Sequence, residues 1–366
     1  MPKSSTTRLY LIPVLSKALD ILELFQHEDR PMALEAIYER TRISKTTVYR
    51  ILKTLVHRGY LAHSQDGLYR LVSRPRKVRF GFAKESSDMP FSEAVAASLQ
   101  FAADQAGVDL LILDNRYEGA TAVKVAEEFI RRRVDLVIEF QIDQQVAPII
   151  ADKIKAAGIP LIALDIPHPH ATYFGVDNYR VGVEAGELLA HYAIRNWERK
   201  VDWVLGLDIE EAGPLVQSRI TGAFQGIRGL LPEVPVESFV RMDTRGIRDY
   251  SRKAVADFLN RHQRNKHILI AAATDTGALG ALEAVRELKR EKHVRLAGQD
   301  CIPEAVEEIV KAGSPWLGSV SHEAASYGPR LIQLGLAILR GQMVAPYNHV
   351  EHKLVTRETL QADAGL

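Results

Sequence analysis

Cysteine is almost absent from this chain, and long apolar runs are absent altogether. The 366 residues include a single cysteine, Cys301, which can form no intramolecular disulfide and cannot supply a multi-cysteine metal site. No apolar run approaches the ~20 residues that cross a bilayer, and no N-terminal apolar stretch leads to a small-residue cleavage site. We therefore expect a cytoplasmic protein, and redox and zinc-finger chemistry are excluded.

Net charge is also nearly absent, at +1 from 47 Lys+Arg and 46 Asp+Glu. The two ends of the chain differ, however. Residues 1–79 hold 15 basic and 7 acidic residues, a net charge of +8, whereas residues 80–366 hold 32 basic and 39 acidic residues, a net charge of −7. This asymmetry indicates a basic nucleic-acid-binding head on an acidic body. The length predicts about two or three domains of roughly 100–200 residues each.

The head has the pattern of three helices followed by a hairpin. Apolar residues at three- and four-residue spacing predict a first helix over 15–26 and a second over about 34–40. The buried face predicted for the first helix consists of Leu15, Ala18, Leu19, Leu22 and Phe25. Two strand-like runs, 60–64 and 68–72, flank an Asp-Gly turn in which both positions are expected to have positive φ. The pattern predicts a winged helix-turn-helix over 1–72.

A third helix is predicted to begin at Ser44 as N-cap and to bury Val48, Ile51, Leu52 and Leu55. The opposite side carries hydroxyls, an aromatic ring and cations, which are groups that contact base edges and phosphates. The predicted DNA-binding residues are Ser44, Lys45, Thr46, Thr47, Tyr49, Arg50 and Lys53. A winged helix that makes only protein contacts is the alternative.

Residues 16–71, with "ALDILELF", "ISKTTVYRILKTL" and "DGLYRL", resemble the DNA-binding domain of IclR-type transcription regulators. The resemblance implies that Lys45–Arg50 belongs to the recognition helix and that operator DNA is a partner. The effector domain usual in that family is not recognisable downstream. A linker is predicted over 73–77, with no room for the hinge helix of LacI-type repressors.

The body, residues 78–366, alternates strand-length apolar runs with helix-length segments, which is typical of an α/β fold with parallel sheets. The predicted strands are 78–83, 109–113, 134–140, 160–164, 201–207, 268–273, 294–298 and 317–321. Polar residues follow them: Asp114, Gln141, Asp165, Asp208, Asp275, Asp300 and His322. Because ligands bind outside the carboxyl ends of parallel strands, these residues are expected to outline a cleft.

The motifs "GVDLLILD", "GIPLIALD", "FGVDN", "ATDTGALGALEAV" and "AGQD" make the body similar to type I periplasmic binding proteins, especially the ribose-binding and LacI-like sugar-binding group. The resemblance implies two doubly wound lobes, about 78–177 with 322–345 and about 178–321 with 346–366. The crossovers are expected near Asp177, His322 and Ala345.

The same resemblance implies a set of sugar contacts. Phe91 is the stacking platform, Asp165, Arg219 and Asp300 bind hydroxyls, and Thr274 or Asp275 together with His322 completes the wall of the second lobe. Carboxylates accept hydrogen bonds from sugar hydroxyls, and a guanidinium donates them. The sequence departs from the ribose binders at Met89, Ser92, Thr274 and His322, which leaves the sugar unidentified.

These expectations combine into a homodimeric transcription regulator whose operator affinity depends on a small effector, most readily a sugar or sugar derivative. A purine or a signalling molecule is the alternative effector. A sugar-modifying enzyme is the remaining alternative, since carboxylates at strand ends also build active sites. No catalytic residue, cofactor, metal or membrane partner is predicted, and His168-Pro169-His170 lacks a third ligand at a metal-binding spacing.

Overall fold

The computed structural model describes residues 12–28, 30–72 and 77–363. The chain divides into two compact units, Met1–Lys77 and Val78–Leu366, here called the N-terminal and C-terminal units. Of the predicted linker only Lys77 is described, because residues 73–76 lie outside these ranges. No helix in the described part of the chain is long and apolar enough to span a membrane.

The N-terminal unit consists of three helices and a three-stranded antiparallel sheet. In chain order its elements are α1 (Pro13–Glu28), β1 (Met32–Ala33), α2 (Leu34–Thr41), α3 (Lys45–His57), β2 (Leu61–His63) and β3 (Leu68–Leu71). The strand order is β1-β3-β2. All three predicted helices are present. Strand β1 was not predicted, because its two residues are too few to show a strand pattern in the sequence.

The buried face of α1 differs from the predicted one. Ile21 is fully buried and Phe25 nearly so, whereas Leu15 and Leu19 are 54% and 49% exposed. At about 100° per residue the core direction is centred on Phe25, and Leu15 and Leu19 point well to one side of it. The prediction was wrong because the apolar residues of α1 cover a wider face of the helix than the face that packs against the core.

The hairpin turn also differs from the predicted one. Gly67 has φ of 81°, but Asp66 is not in the left-handed region. The Ser64 amide donates to the Leu68 carbonyl at 2.9 Å and the Gly67 amide donates to the Ser64 carbonyl at 3.1 Å. The loop is thus a three-residue turn that ends in a left-handed glycine, the bulged hairpin type, and not a two-residue turn.

The C-terminal unit begins with an α/β lobe. Its elements are β4 (Arg79–Lys84), α4 (Pro90–Ala106), β5 (Asp109–Asp114), α5 (Gly119–Arg131), β6 (Leu136–Glu139), α6 (Ala147–Ala156), β7 (Leu161–Leu164) and β8 (Thr172–Gly175). The chain then builds a second lobe: α7 (Asn178–Asn196), β9 (Trp203–Asp208), α8 (Gly213–Leu230), β10 (Phe239–Asp243), α9 (Arg248–Arg261), β11 (Ile268–Ala272), α10 (Asp275–Glu287), β12 (Val294–Asp300), α11 (Pro303–Val310) and β13 (Trp316–Ser321).

The chain ends with α12 (Ala324–Leu339), β14 (Tyr347–His349), β15 (Lys353–Thr356) and α13 (Arg357–Asp363). Lobe 1 has the strand order β14-β8-β7-β6-β4-β5, and lobe 2 has the order β10-β9-β11-β12-β13-β15. All eight predicted strands are present, and within each sheet they are parallel to one another. The fold is therefore two doubly wound lobes, as expected.

Three connections join the lobes. The first lies between β8 and α7, and the second between β13 and α12, which packs against α4 of lobe 1. The third was expected near Ala345, but β14 still pairs with β8 of lobe 1 at Tyr347–His349. The chain therefore crosses only at 350–352, before β15 pairs antiparallel with β13. An extra edge strand on lobe 1 displaces this crossover.

Helices α7 and α8 of lobe 2 pack backbone against backbone. Gly182 and Gly186 on α7 lie against the backbone of α8, and Gly222 and Gly226 on α8 lie against the backbone of α7. A Cβ atom at Gly186 would lie 2.1 Å from the Ala223 carbonyl oxygen, so this approach requires glycine. The two helices therefore meet closely just beyond the first crossover, and α8 carries one of the predicted ligand residues.

Candidate functional site

The predicted cleft lies between the lobes of the C-terminal unit. Its cavity is lined by four ionisable side chains that come from different elements: Glu85, Asp165, Arg219 and Asp300. The three carboxyl groups follow or end β4, β7 and β12, and the guanidinium projects from α8. Glu85, Asp165 and Arg219 are 6%, 4% and 6% exposed, and the Asp300 side chain is 8% exposed. The carboxyl ends of the parallel strands therefore place acidic groups from both lobes at one site, as predicted from the sequence.

The backbone is unusual where two of these carboxyl groups leave their strands. Asp165 has φ of 57° and Asp300 has φ of 101°. Residues other than glycine rarely adopt a positive φ, and those that do are concentrated at ligand-binding and active sites.

Arg219 is fixed by partners within its own lobe. Its Nε donates to Asn178 Oδ1 at 2.6 Å, and its Nη1 donates to the Ala273 carbonyl at 3.0 Å. Asn178 begins α7, so these bonds tie the guanidinium to the helix that follows the first crossover.

Burial dominates the acid–base properties of the cleft. Burial and, to a lesser extent, the negative charges of Asp300 and Asp165 raise the pKa of Glu85 to about 8, and the Arg219 charge opposes them. Burial raises the pKa of Asp165 to about 6 against the opposing charge of Arg219. It raises the pKa of Asp300 as well, again opposed by Arg219. At pH 7 the Glu85 carboxyl group therefore keeps its proton, whereas Asp165 has largely lost its own.

An aromatic and aliphatic surface forms the rest of the cavity. The Phe91 ring makes edge-to-face contacts with Phe140, His322 and Tyr327, at centroid distances of 6.4, 5.7 and 5.6 Å. The apolar and aromatic lining residues are Met89, Phe91, Tyr117, Phe140, Ile142, Ile166, Ile209 and Val216. Phe91 is thus at the cavity, as the platform assignment requires.

Two of the predicted ligand residues do not line the cavity. Asp275 accepts hydrogen bonds from the Ser319 hydroxyl at 2.8 and 2.9 Å and from the Ile302 amide at 3.0 Å. Its carboxylate holds β12 and β13 in place. Thr274 does line the cavity, although its hydroxyl also accepts from the Gly277 amide and caps α10.

His322 is fully buried behind the cavity wall and is the second exception. Its Nε2 lies 3.0 Å from Gln299 Oε1, and its Nδ1 lies 3.3 Å from Asp300 Oδ1. Gln299 Nε2 donates to the Val181 carbonyl, which leaves its oxygen facing the imidazole. His322 therefore lies behind Asp300, with no hydrogen-bond partner for its Nδ1 among the described residues, and does not form part of the wall.

Sequence reasoning missed Glu85 and Tyr117. Glu85 follows β4 directly, so the rule that selected the other strand-end carboxyl groups also applied to it. Two selected strand-end residues serve local structure instead. Asp114 accepts from the Ser87 side chain, and Asp208 forms an ion pair with Arg241.

The lobes touch each other around the cleft. The Tyr117 hydroxyl of lobe 1 donates to the Arg245 carbonyl of lobe 2 at 2.7 Å. The backbone N–H of Gln144 in lobe 1 donates to the backbone carbonyl of Glu211 in lobe 2 at 2.8 Å. The C-terminal unit therefore has a closed arrangement of its lobes.

In the N-terminal unit, α3 buries Val48, Ile51, Leu52 and Leu55, as predicted. The opposite face exposes six of the seven predicted DNA-binding residues, namely Ser44, Lys45, Thr46, Tyr49, Arg50 and Lys53, while Thr47 is half-buried. Ser44 is the N-cap residue, but its hydroxyl bonds the Thr47 hydroxyl at 2.8 Å and caps no amide.

Two of the cations on this face already have neighbours. Lys45 pairs with Glu35 at 2.8 Å, and the Lys53 ammonium lies 5.7 Å from the centre of the Tyr49 ring. The described residues contain no group of three or more metal-ligating side chains.

Together, the units define a class: a winged helix-turn-helix joined to a two-lobed ligand-binding domain. The IclR helix-turn-helix domain matches residues 14–65. The periplasmic binding protein domain matches residues 80–343, more than half of the chain, so the chain belongs to that family. No curated protein matches the chain.

Solved structures share the fold of the C-terminal unit. A solute-binding protein from Actinobacillus succinogenes with bound D-allose is 21% identical, covers 79% of this chain and 100% of its own, and has a TM-score of 0.67. One from Bacillus halodurans with bound myo-inositol is 19% identical, with 80% and 99% coverage and a TM-score of 0.67. One from Agrobacterium vitis with bound α-D-tagatopyranose is 15% identical, with 79% and 97% coverage and a TM-score of 0.70.

Proposed function

We propose that this protein is a transcription regulator whose affinity for operator DNA is controlled by a sugar or sugar derivative. The exposed face of α3 binds the operator, and the effector binds between the lobes of the C-terminal unit. The protein acts as a homodimer, because one winged helix makes too few base contacts to select a site among many competitors. Because it binds DNA, we place the protein in the cytoplasm. We also propose that it is not an enzyme.

The observation that carries this proposal is the composition of the cleft. Buried carboxyl groups and the Arg219 guanidinium lie beside the Phe91 ring. Carboxylates accept from hydroxyls, a guanidinium donates to them, and an aromatic face covers the apolar side of a sugar ring. The solute-binding proteins with bound D-allose, α-D-tagatopyranose and myo-inositol lend support from the same fold.

Site selection with the full-length protein on randomised duplex DNA, followed by fluorescence anisotropy, tests the proposal. Titrations of the selected duplex are repeated with saturating D-allose, D-tagatose, myo-inositol and a wider panel of sugars and nucleobases. We expect an enriched site, and a change in its affinity when a sugar binds. Failure to enrich any site would contradict the proposal, as would unchanged affinity under every sugar that binds. Control by a nucleobase would replace the sugar with the alternative effector.

Two pairs of variants separate the two activities. Arg50→Ala and Lys53→Ala should weaken DNA binding and leave effector binding intact. Asp165→Ala and Arg219→Ala should remove the effector response while DNA binding survives. Loss of both activities in either pair, with the unit still folded by circular dichroism, would contradict this division of roles.

A further inference from the structure

The cleft contains more acidic groups than its cation can neutralise. Glu85, Asp165 and Asp300 line the cavity with a single guanidinium, that of Arg219. Within the described residues, Arg219 makes no ion pair, and its hydrogen bonds go to the Asn178 side-chain oxygen and the Ala273 carbonyl oxygen. The cavity therefore has a surplus of buried acceptors that no protein cation contacts.

Glu85 is the clearest member of this surplus. Its side chain is 6% exposed, and its carboxyl group forms none of the hydrogen bonds found among the described residues, so its pKa is set by burial and neighbouring charges. Asp165 Oδ1 is likewise buried without a partner. Buried polar groups are normally hydrogen-bonded, so each unpaired group implies a partner that the cleft receives from outside.

We propose that the effector carries a protonated amine among its hydroxyl groups, as an amino sugar or an amino polyol does, and that the ammonium group binds at Glu85. This inference rests on the proposed sugar-responsive function and specifies the chemistry of its ligand. An ammonium group brings three donors and a positive charge to a site rich in acceptors. A neutral sugar supplies donors but no positive charge that would stabilise the ionised form of Glu85.

The lining also argues against an anionic ligand. A sugar phosphate or uronate would add negative charge to a cavity that holds three carboxyl groups. Arg219 is the only lysine or arginine among the lining residues, and two of its donors are already used. Anion sites in proteins are built instead from several donors or cations.

Proton release provides a signature of the bound amine. The groups that act on Glu85 are Asp300, Asp165 and Arg219, and burial together with the first two raises its pKa to about 8. An ammonium ion beside Glu85 favours its charged form and so lowers this pKa. At pH 7 an amine effector therefore drives a proton off the cleft, whereas a neutral sugar does not.

The experiment compares matched trios of ligands by isothermal titration on the full-length protein at pH 7. Each trio contains an amino sugar, its hydroxyl parent and its N-acetyl derivative, in the glucose, galactose and mannose series. We expect one amino sugar to bind at least about tenfold more tightly than both of its partners. Its binding enthalpy should also vary with the ionisation enthalpy of the buffer, which reports released protons.

Glu85→Gln removes the charge at nearly constant shape and should reduce the amine preference to within about twofold. Glu237→Gln, at an exposed position outside the cavity lining, is the control and should keep the preference. The buffer dependence of the wild-type protein tests the inference independently if Glu85→Gln does not fold.

The outcomes separate this inference from the proposed function. Neutral sugars that bind as tightly as amino sugars, without proton release, would overturn the amine and leave the sugar-responsive regulator standing. Binding by no sugar of any trio, while a nucleobase binds, would overturn the carbohydrate effector and the amine inference together. An amine preference that persists in Glu85→Gln would also overturn the assignment to this residue.

Discussion

The carboxyl group of Glu139 should make the stability of the C-terminal unit depend on pH. Glu139 ends β6, is fully buried and lies outside the cavity lining. Its Oε1 accepts from Asn115 Nδ2 at 2.9 Å, and its Oε2 has no partner among the described residues. Burial raises its pKa from 4.5 to about 8, opposed by the Asn115 hydrogen bond.

The sign follows from proton binding. Between pH about 4.5 and 8 the unfolded chain has lost the Glu139 proton and the folded chain has kept it, so stability falls as pH rises. Integrated from pH 5 to 8, this one group removes about 3 kcal/mol of the free energy of unfolding. Glu139→Gln cannot ionise. It should match the wild type within about 1 kcal/mol at pH 5 and exceed it by about 3 kcal/mol at pH 8.

Urea denaturation followed by tryptophan fluorescence measures this difference. All three tryptophans, Trp197, Trp203 and Trp316, lie in the C-terminal unit, so the signal reports that unit alone. The comparison between variant and wild type cancels the other titrating groups. Glu237→Gln, at an exposed position, should follow the wild type at every pH. Parallel pH profiles for wild type and Glu139→Gln would refute the reasoning.

Three further measurements test other parts of the structure. Arg50→Ala or Lys53→Ala should each reduce the slope of log K against log salt by about 0.9 if it removes one phosphate contact, measured by anisotropy on duplex DNA; an unchanged slope would remove that residue from the interface. Gly186→Ala should destabilise the C-terminal unit by about 1–3 kcal/mol in urea, because its Cβ would overlap a backbone oxygen of the facing helix. A neutral effect would mean that the helices separate easily. Tyr117→Phe removes the hydrogen bond to the Arg245 carbonyl of the other lobe, worth about 0.5–1.5 kcal/mol, and should weaken effector binding by about two- to tenfold. Unchanged affinity would show that this bond does not favour closure.

Apolar runs predicted eight strands, and all but the edge strand β5 are largely buried in a parallel sheet, where both faces are covered. The strands β8, β10, β14 and β15 were missed. The last three are edge strands, and the Tyr347 side chain of β14 is 59% exposed, so no long apolar run reveals them. The last crossover was misplaced as a direct consequence, because its position depends on β14.

The candidate site was predictable as a set of strand ends but not residue by residue. Asp275 and Asp300 both follow apolar runs and look alike in sequence. Asp275 differs because Ser319, 44 residues away, donates to it and so holds it away from the cavity. A run of apolar neighbours likewise hid Glu139, whose partner Asn115 is the residue after β5. Such partners are set by tertiary packing, which spacing along the chain does not encode.

The glycine contacts between α7 and α8 fix the helix that carries Arg219 against the helix that begins at the first crossover. α7 starts at the first crossover, and α8 carries Arg219 one turn before Gly222. Because the helices touch through their backbones, neither can slide or rotate against the other without a clash. Genetic selection for regulators that ignore their effector should therefore recover substitutions at Gly182, Gly186 or Gly222, three residues outside the cavity lining.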